Sequence, residues 1–538
     1  MDKCLASKEI VQKIVGCFDV PRDFSKERDP IDSALSWLTK TSSGTLTALA
    51  CTSKRFTEPC LDVLWRDLES MHPIFVVLGV PVVMETAEKS QFDLPDADPC
   101  EIPRLDDHNL TALLGTVDLA KASHYLRRVK QLYVNKWDLT NNLLSFLSDV
   151  TKQQDTALFP NLRSIVWDIR EGQFNHDIKI FASSHIKRIS VHPTYMDASL
   201  YDSFPNLTEI ECLRFFRHTD QHVTRITRAI EHYPHLTVID CFTYEISAPA
   251  FDRLASMPDL RELAFERLPE GAVFPRRVSE GKTIFFPSLR KLRIGIIPVD
   301  ACRTFIRSLR EPRKLQQLQL SYPVSKCADA SPQKLLSDIG TLFRDGSLTD
   351  LAVTAAWDKK FVNYEEEMGL KTPRTTTAIL EPLLQLKGLQ VCKISFAQLD
   401  LDDDFIERLS SACPHLVNLS LQSLDWYKKF PNMTLRSLYS LAKNCPHLER
   451  VQLPWLSWSE GDANVLQLKR TWDHEKRWGT VVAVDITLSG VDDSPAWQER
   501  AREVAGFLEE IFPKISWFPV DRIFHYVRNG LDAKRYNS

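Results

Sequence analysis

No segment of the chain approaches the roughly 20 consecutive apolar residues that a membrane-spanning helix needs, so no membrane partner is expected. The N-terminus, MDKCLASKEIVQKIVGCFD, has no long apolar run and carries Lys8, Glu9 and Lys13 inside its apolar pattern, unlike a secretory signal peptide. The 12 cysteines show no regular pairing pattern and no C-x-x-C spacing. Without export they are expected to be reduced thiols, buried as small hydrophobes rather than joined in disulfides or bound to zinc. Net charge is −4 with both signs mixed throughout, which argues against a nucleic-acid partner. There is no G-x-G-x-x-G, P-loop, G-x-S-x-G or H-E-x-x-H. An enzyme therefore has no supporting motif, and no catalytic residue, metal or cofactor is assigned. The expected location is cytoplasmic and/or nuclear.

What is present is a globular composition, 43% hydrophobic, in 538 residues, too long for one small core. The organising stretch is Thr45 to Leu68, TLTALACTSKRFTEPCLDVLWRDL. It reads as two short amphipathic helices joined at Thr57-Glu58-Pro59. Leu46, Leu49, Ala50 and Ser53 share one face, and Leu61, Leu64, Trp65 and Leu68 share the other. Pro59 is expected in the first turn of the second helix and Thr57 as its N-cap. Upstream, residues 5–18 predict a helix on Ile10, Ile14 and Phe18, with Val11 and Val15 beside them and Ser7 as N-cap. A further helical pattern opens at Asp29-Pro30, and Thr41-Ser42-Ser43-Gly44 breaks it.

Residues 5–69 resemble an F-box, a three-helix unit that docks on the Skp-type adaptor of a cullin ubiquitin ligase. Leu49-Ala50-Cys51-Thr52-Ser53-Lys54-Arg55-Phe56 is similar to the family's L-x-x-V-C-K-R-F core. Glu58-Pro59 and Leu64-Trp65-Arg66-Asp67-Leu68 are similar to the ending common in fungal members. The family's opening Leu-Pro is absent; Leu5-Ala6 or Ser7-Lys8 stands in its place, and residues 20–44 exceed the usual connection. The resemblance implies adaptor binding through Ile10, Ile14, Leu49, Phe56, Leu61 and Trp65.

Residues 84–108 are polar, acidic and proline-containing and read as a loop or linker. A helical pattern follows at Leu110 to Leu126. From there an L-x-x-L-x-L pattern recurs twelve times. It appears as Val129/Leu132/Val134, Leu162/Ile165/Trp167, Ile186/Ile189/Val191, Leu207/Ile210/Cys212, Leu236/Ile239/Cys241 and Leu260/Leu263/Phe265. It continues as Leu289/Leu292/Ile294, Leu315/Leu318/Leu320, Leu348/Leu351/Val353, Leu389/Cys392/Ile394, Leu416/Leu419/Leu421 and Leu448/Val451/Leu453. Many repeats follow an aromatic, Met or Cys and then proline, as at Phe204-Pro205, Tyr233-Pro234 and Cys413-Pro414. Such a proline stops the preceding helix. The expectation is an α/β fold: parallel strands, outer helices, each repeat burying its apolar face only against its neighbours. With the F-box this resembles the F-box plus leucine-rich-repeat class. The usual asparagine after the strand is missing, and loops are inserted at 268–284, 322–333 and 357–377, so the solenoid is irregular. Val481 to Leu488 predicts a closing strand, and a helix on Ala501, Val504, Leu508 and Ile511 a C-terminal cap. The division is therefore 1–70 F-box-like, 71–128 linker and helical N-terminal cap, 129–465 solenoid and 466–538 cap.

Two readings of function stand side by side. One is a non-catalytic substrate-recognition adaptor of an SCF-type ubiquitin ligase, with the repeats holding a target protein. The other is a repeat scaffold whose F-box-like start is only a cap. Target contacts are expected at Trp357, Trp426, Tyr427, Trp455 and Trp458, since Trp and Tyr are favoured at hot spots; covering the turn edge as core is the alternative. Glu262 and Glu266 neighbour Lys291 and Arg293 one repeat on; adjacent acidic and basic rungs of this kind can pair with one another, so they give no clear docking code. Asp400, Asp402, Asp403 and Asp404 suggest a helix N-terminus rather than a cation site. Cys413 and Cys445 read as buried residues at one repeat position.

Overall fold

The computed structural model describes residues 8–17, 43–86, 101–106, 110–135, 139–153, 157–169, 177–213, 219–267, 286–296, 298–309, 314–323, 332–356, 375–396, 399–423, 432–456 and 483–488. The chain forms two compact units, Met1–Arg253 and Leu254–Ser538. Each is a mixed α/β unit built on an open parallel sheet.

Among the described residues the first unit begins with three helices: α1 (Lys8–Gly16), α2 (residues 43–52) and α3 (Lys54–Leu64). Strand β1 (Asp67–Leu68) follows directly. An antiparallel pair, β2 (Val82–Thr86) with β3 (Glu101–Leu105), comes next. The remaining strands are β4 (Gln131–Asn135), β5 (Ser164–Asp168), β6 (Arg188–Val191), β7 (Glu209–Cys212) and β8 (Val238–Cys241). The parallel sheet runs β1-β4-β5-β6-β7-β8. Its register places Leu68, Leu132, Ile165, Ile189, Ile210 and Ile239 in one row.

In the second unit the strands are β9 (Glu262–Phe265), β10 (Lys291–Ile296), β11 (Gln317–Pro323), β12 (Asp350–Ala356), β13 (Thr375–Thr376), β14 (Val391–Phe396), β15 (Leu399–Asp400), β16 (Asn418–Ser423), β17 (Arg450–Leu456) and β18 (Ala483–Leu488). The parallel order is β9-β10-β11-β12-β14-β16-β17-β18, while β13 and β15 form a separate short pair. One row reads Leu263, Leu292, Leu318, Leu351, Cys392, Leu419, Val451 and Val484.

In all twelve leucine-type triplets the second and third residues fall on these strands and the first lies two residues ahead of the strand; every one of their side chains is buried, Cys212 being the most exposed at 6%. Fully burying a large apolar side chain is worth roughly 1.5–3 kcal/mol, so each rung is held by its three. Helices lead back to the next strand, among them Asp220–His232, Asp403–Ala412 and Leu435–Asn444. Their ends explain the aromatic-or-cysteine-then-proline pattern. Phe204, Tyr233, Cys413 and Cys445 are C-caps whose N–H groups donate back to Leu200, Ala229, Leu409 and Leu441, and the proline that follows has no amide to continue the helix. Each cap residue is also buried.

The missing asparagine leaves open how the backbone is satisfied. At the start of the strands the answer lies in the main chain. The carbonyl just before most strands of the parallel order accepts two amides from the next rung. Arg66 O takes Lys130 N–H and Gln131 N–H at 2.8 and 3.0 Å, and Lys130 O takes Arg163 N–H and Ser164 N–H at 2.8 and 3.1 Å. The same pairing recurs at Arg290, Gln316, Thr349, Gln390 and Val417. No side chain is required, so the residue at this place is free to vary.

Three expectations need correction. Residues 84–108 are not loop throughout, since Met84 and Glu85 pair with Pro103 and Ile102 in the β2–β3 ribbon. The helix break in the opening stretch is at Ser53, not at Thr57-Glu58-Pro59. Ser53 is extended (φ −158°, ψ 139°) and its hydroxyl accepts from Arg55 N–H, so Pro59 lies inside α3. Thr57 is not a cap; its hydroxyl donates to Ala50 O at 2.9 Å and so ties α3 to α2. The predicted closing strand is present as β18, parallel to β17. The helical pattern at Asp29-Pro30, the Ser7 cap and the C-terminal helix lie outside the described residues, as do most residues of the inserted loops.

Candidate functional site

The candidate site is the N-terminal helical unit and what it rests on. Val11 and Val15 of α1, Leu46 of α2, and Phe56 and Cys60 of α3 form one buried cluster, with Ile14, Leu49, Ala50, Val63 and Leu64 packed against it. The spacing of four in α1 and of four in α3 places these side chains on facing stripes. Burial pushes the Cys60 thiol pKa up, which keeps it protonated and unreactive.

The opposite face of α3 is polar and holds the start of the repeats. The Arg128 guanidinium, 6% exposed, donates to Glu58 and Asp62 one turn apart on α3, and its Nε donates to His124 O at 3.1 Å. His124 Nε2 lies 3.3 Å from Glu58 Oε1. The Arg128 hydrogen bond, aided by nearby positive charge, holds the Glu58 carboxyl below the usual carboxylate range against a smaller opposing effect of burial. Trp65 packs on Tyr125, ring centroids 4.9 Å apart. Two residues later Asp67 and Leu68 enter the sheet as β1. The ending of the F-box-like stretch is thus also the first rung of the parallel sheet.

Of the residues expected to bind an adaptor, Phe56 is buried inside the cluster, and Ile14 and Leu49 are partly buried against it. Leu61 is half-buried on α3, and Trp65 is half-buried on Tyr125. Ile10 lies in α1, its side chain outside the described residues. Among the five whose side chains are described, only Phe56 is fully interior to the helical unit; Ile14, Leu49, Leu61 and Trp65 are each partly exposed.

Of the residues expected to bind a target, only Trp455 falls within the described residues, and there by its backbone alone. Trp357, Trp426, Tyr427 and Trp458 lie outside the described residues. Trp455 lies in β17, in register with Thr487 just past an irregularity between Leu453 and Trp455. Lys291 does pair with Glu262, at 2.9 Å, on register-matched places of β10 and β9. Asp402 is the N-cap of Asp403–Ala412, accepting from Phe405 N–H at 2.7 Å. Asp403 accepts from Thr434 N–H at 2.9 Å, from Thr434 Oγ1 at 2.7 Å and from Ser437 Oγ, so it ties one repeat to the next. Cys413 and Cys445 are buried, their thiols directed at backbone carbonyls at 3.4 and 3.6 Å.

No protein-family model matches the chain, and no curated protein matches it. Among the described residues no helix is long and apolar enough to cross a membrane, and no three His, Cys, Asp or Glu side chains gather as a cation site.

Sequence reasoning missed the Arg128 network. The available signal was Glu58 and Asp62 at i, i+4 on the face away from Phe56 and Cys60. It also missed a buried polar cluster in the first unit. His192 and His222, both under 5% exposed, pack edge to face at 5.0 Å, with Tyr244 5.7 Å from His222. Cys212 and Cys241 on adjacent rungs are likewise buried with their sulfurs 3.1 Å apart.

Proposed function

We propose that this chain is a substrate-recognition subunit of an SCF-type ubiquitin ligase. Its N-terminal helices would dock the Skp-type adaptor and its repeats would hold a target protein, in the cytoplasm and/or nucleus. The observation that carries the reading is the sequence from Leu49 to Leu68, with its A-C-T-S-K-R-F and L-W-R-D-L runs, on a helical unit with a small core of its own. The mechanism is proximity: the chain performs no chemistry and raises the effective concentration of target near the ubiquitin-charged enzyme. Because β1 follows α3 directly, adaptor and repeats would be joined without a flexible hinge. Co-purification with a Skp-type adaptor tests this. The intact chain is expected to be retained; if it fails to bind while a standard F-box binds under the same conditions, the reading is wrong.

A specific observation favours a second reading, a repeat scaffold without a ligase role. Arg128, His124 and Tyr125 engage Glu58, Asp62 and Trp65, contacts that would let the helices serve as a cap at the first rung of the sheet. The same experiment separates the two.

A further inference from the structure

The leading edge of the first unit's sheet carries a column of positive charge. Gln131, Ser164 and Arg188 are in register, and the residues one place before them are Lys130, Arg163 and Lys187. All three are exposed, and all three have their backbones fixed in the two-amide ladder. Neighbouring strands lie about 4.8 Å apart, so three cations stand on rigid backbone within about 10 Å. Arg66 holds the same place before β1.

Nothing in the described fold neutralises this column. The leading edges of β4, β5 and β6 read RRVKQ, PNLRS and SHIKR at residues 127–131, 160–164 and 184–188, without one carboxylate. Other cations nearby are committed: Arg128 to Glu58 and Asp62, Arg188 to Glu211 at 3.2 Å, and Arg66 to Asp67 at 2.8 Å. Lys130, Arg163 and Lys187 make no ion pair among the described residues. Like charges opposite one another on adjacent strands cost stability, and the double-amide ladder makes no demand on side-chain type. The fold therefore bears a repulsion that it does not need.

We propose that this edge docks an acidic peptide segment of a protein partner. Charge complementarity selects an anion. An extended peptide repeats its side chains on one face every ~6.7 Å, so two or three carboxylates of one short segment meet the column. A longer polyanion is disfavoured: Glu209 holds the next strand start, Glu211 and Asp240 lie on β7 and β8, and the chain as a whole is at −4. The proposal rests on the repeats being a protein-binding surface and is independent of adaptor docking. Failure of the co-purification leaves it standing, and its own failure leaves adaptor docking standing.

The test is fluorescence anisotropy of a labelled octaglutamate peptide with the full chain, beside a labelled oligothymidylate of eight nucleotides. The peptide is expected to bind at about 50 mM salt and to weaken as salt shortens the screening length. The triple variant Lys130→Glu, Arg163→Glu, Lys187→Glu is expected to bind at least about tenfold more weakly. A charge-matched control on helical segments, Lys121→Glu, Lys152→Glu, Lys179→Glu, is expected to stay within about twofold. The neutral triple Lys130→Gln, Arg163→Gln, Lys187→Gln relieves the like-charge opposition, so it is expected to lose peptide binding with an unchanged or raised Tm. No peptide binding, equal losses in column and control triples, or tighter binding of the oligonucleotide than of the peptide would each overturn the proposal.

Discussion

Acidification should loosen the first unit through His192, and the size of the effect follows from its surroundings. His192 directly follows Val191 at the end of β6 and is 4% exposed. Its Nδ1 lies 2.7 Å from Thr194 Oγ1 and accepts from Thr194 N–H at 3.3 Å. His222 and Tyr244 pack against its ring, and Arg225, which donates to Thr194 O, adds positive charge nearby. Burial first, then His222 and Arg225, push its pKa from 6.5 down to about 4. The unfolded chain thus takes up this proton more readily than the folded one. The contribution is fully present above pH 6.5 and is lost as pH falls toward 4. Linkage puts the loss at about 1.4 kcal/mol at pH 5.5 and about 3 kcal/mol at pH 4. The perturbation is His192→Asn, whose amide oxygen can still accept from Thr194 N–H but does not titrate. The assay is hydrogen exchange, read by mass spectrometry on peptides covering β6 to β8, in a series from pH 7.5 to 4 corrected for intrinsic exchange. The native chain should lose protection in that window, while the variant, less protected at neutral pH, should show a shallower decline. Parallel pH dependences for the two chains would refute the reasoning.

Two further predictions concern the second unit. A Cβ on Gly388 would sit 2.1 Å from Gly346 O, backbone against backbone, with Gly346 itself at φ +81°, so Gly388→Ala should cost at least about 2 kcal/mol in urea unfolding. As a comparison from the first unit, Gly115→Ala, with nothing within 4 Å, should be neutral to stabilising in the same assay. Asp403→Ala removes the acceptor for two hydroxyls and one amide that cross to the next repeat, and should destabilise by about 2–3 kcal/mol. Asp404→Ala, which gives up only a surface contact to Arg436 at 3.4 Å, should cost about 0.5 kcal/mol or less. Equal costs for the two aspartates would mean that the Asp403 tie does not hold the repeats together.

The strand rows were legible because their signal is local and repeated. Each triplet needs only the period of a strand and an apolar side chain, and each is followed by a neighbour that obeys the same rule, so an error at one rung is corrected by the next. The helix break at Ser53 was less legible for the opposite reason. Ser53 and Thr57 are both good caps by type, and Pro59 is compatible with either assignment until Thr57 is seen to spend its hydroxyl on Ala50. That contact depends on how α2 and α3 cross. The β2–β3 ribbon was hidden by composition, since Met84, Glu85, Ile102 and Pro103 carry no strand alternation and become strands through pairing with each other.

The candidate site shows the same divide in a sharper form. The inner stripe of α3, with Phe56 and Cys60, follows helical spacing and can be read in one dimension. The outer stripe cannot, because the meaning of Glu58 and Asp62 is fixed by Arg128, about seventy residues away in the chain. Read alone, two carboxylates a turn apart describe a solvated face. Read with Arg128 and the Trp65–Tyr125 contact, they become the joint that seats the helices on the first rung. This joint limits how the two functional readings can be separated by truncation. Removing residues 1–70 would take away Asp67 and Leu68 together with the partners of a nearly buried guanidinium, so loss of binding in such a fragment would report damage to the sheet as readily as loss of a docking site. Discrimination has to come from the intact chain, with the helical unit in place and the adaptor as the variable.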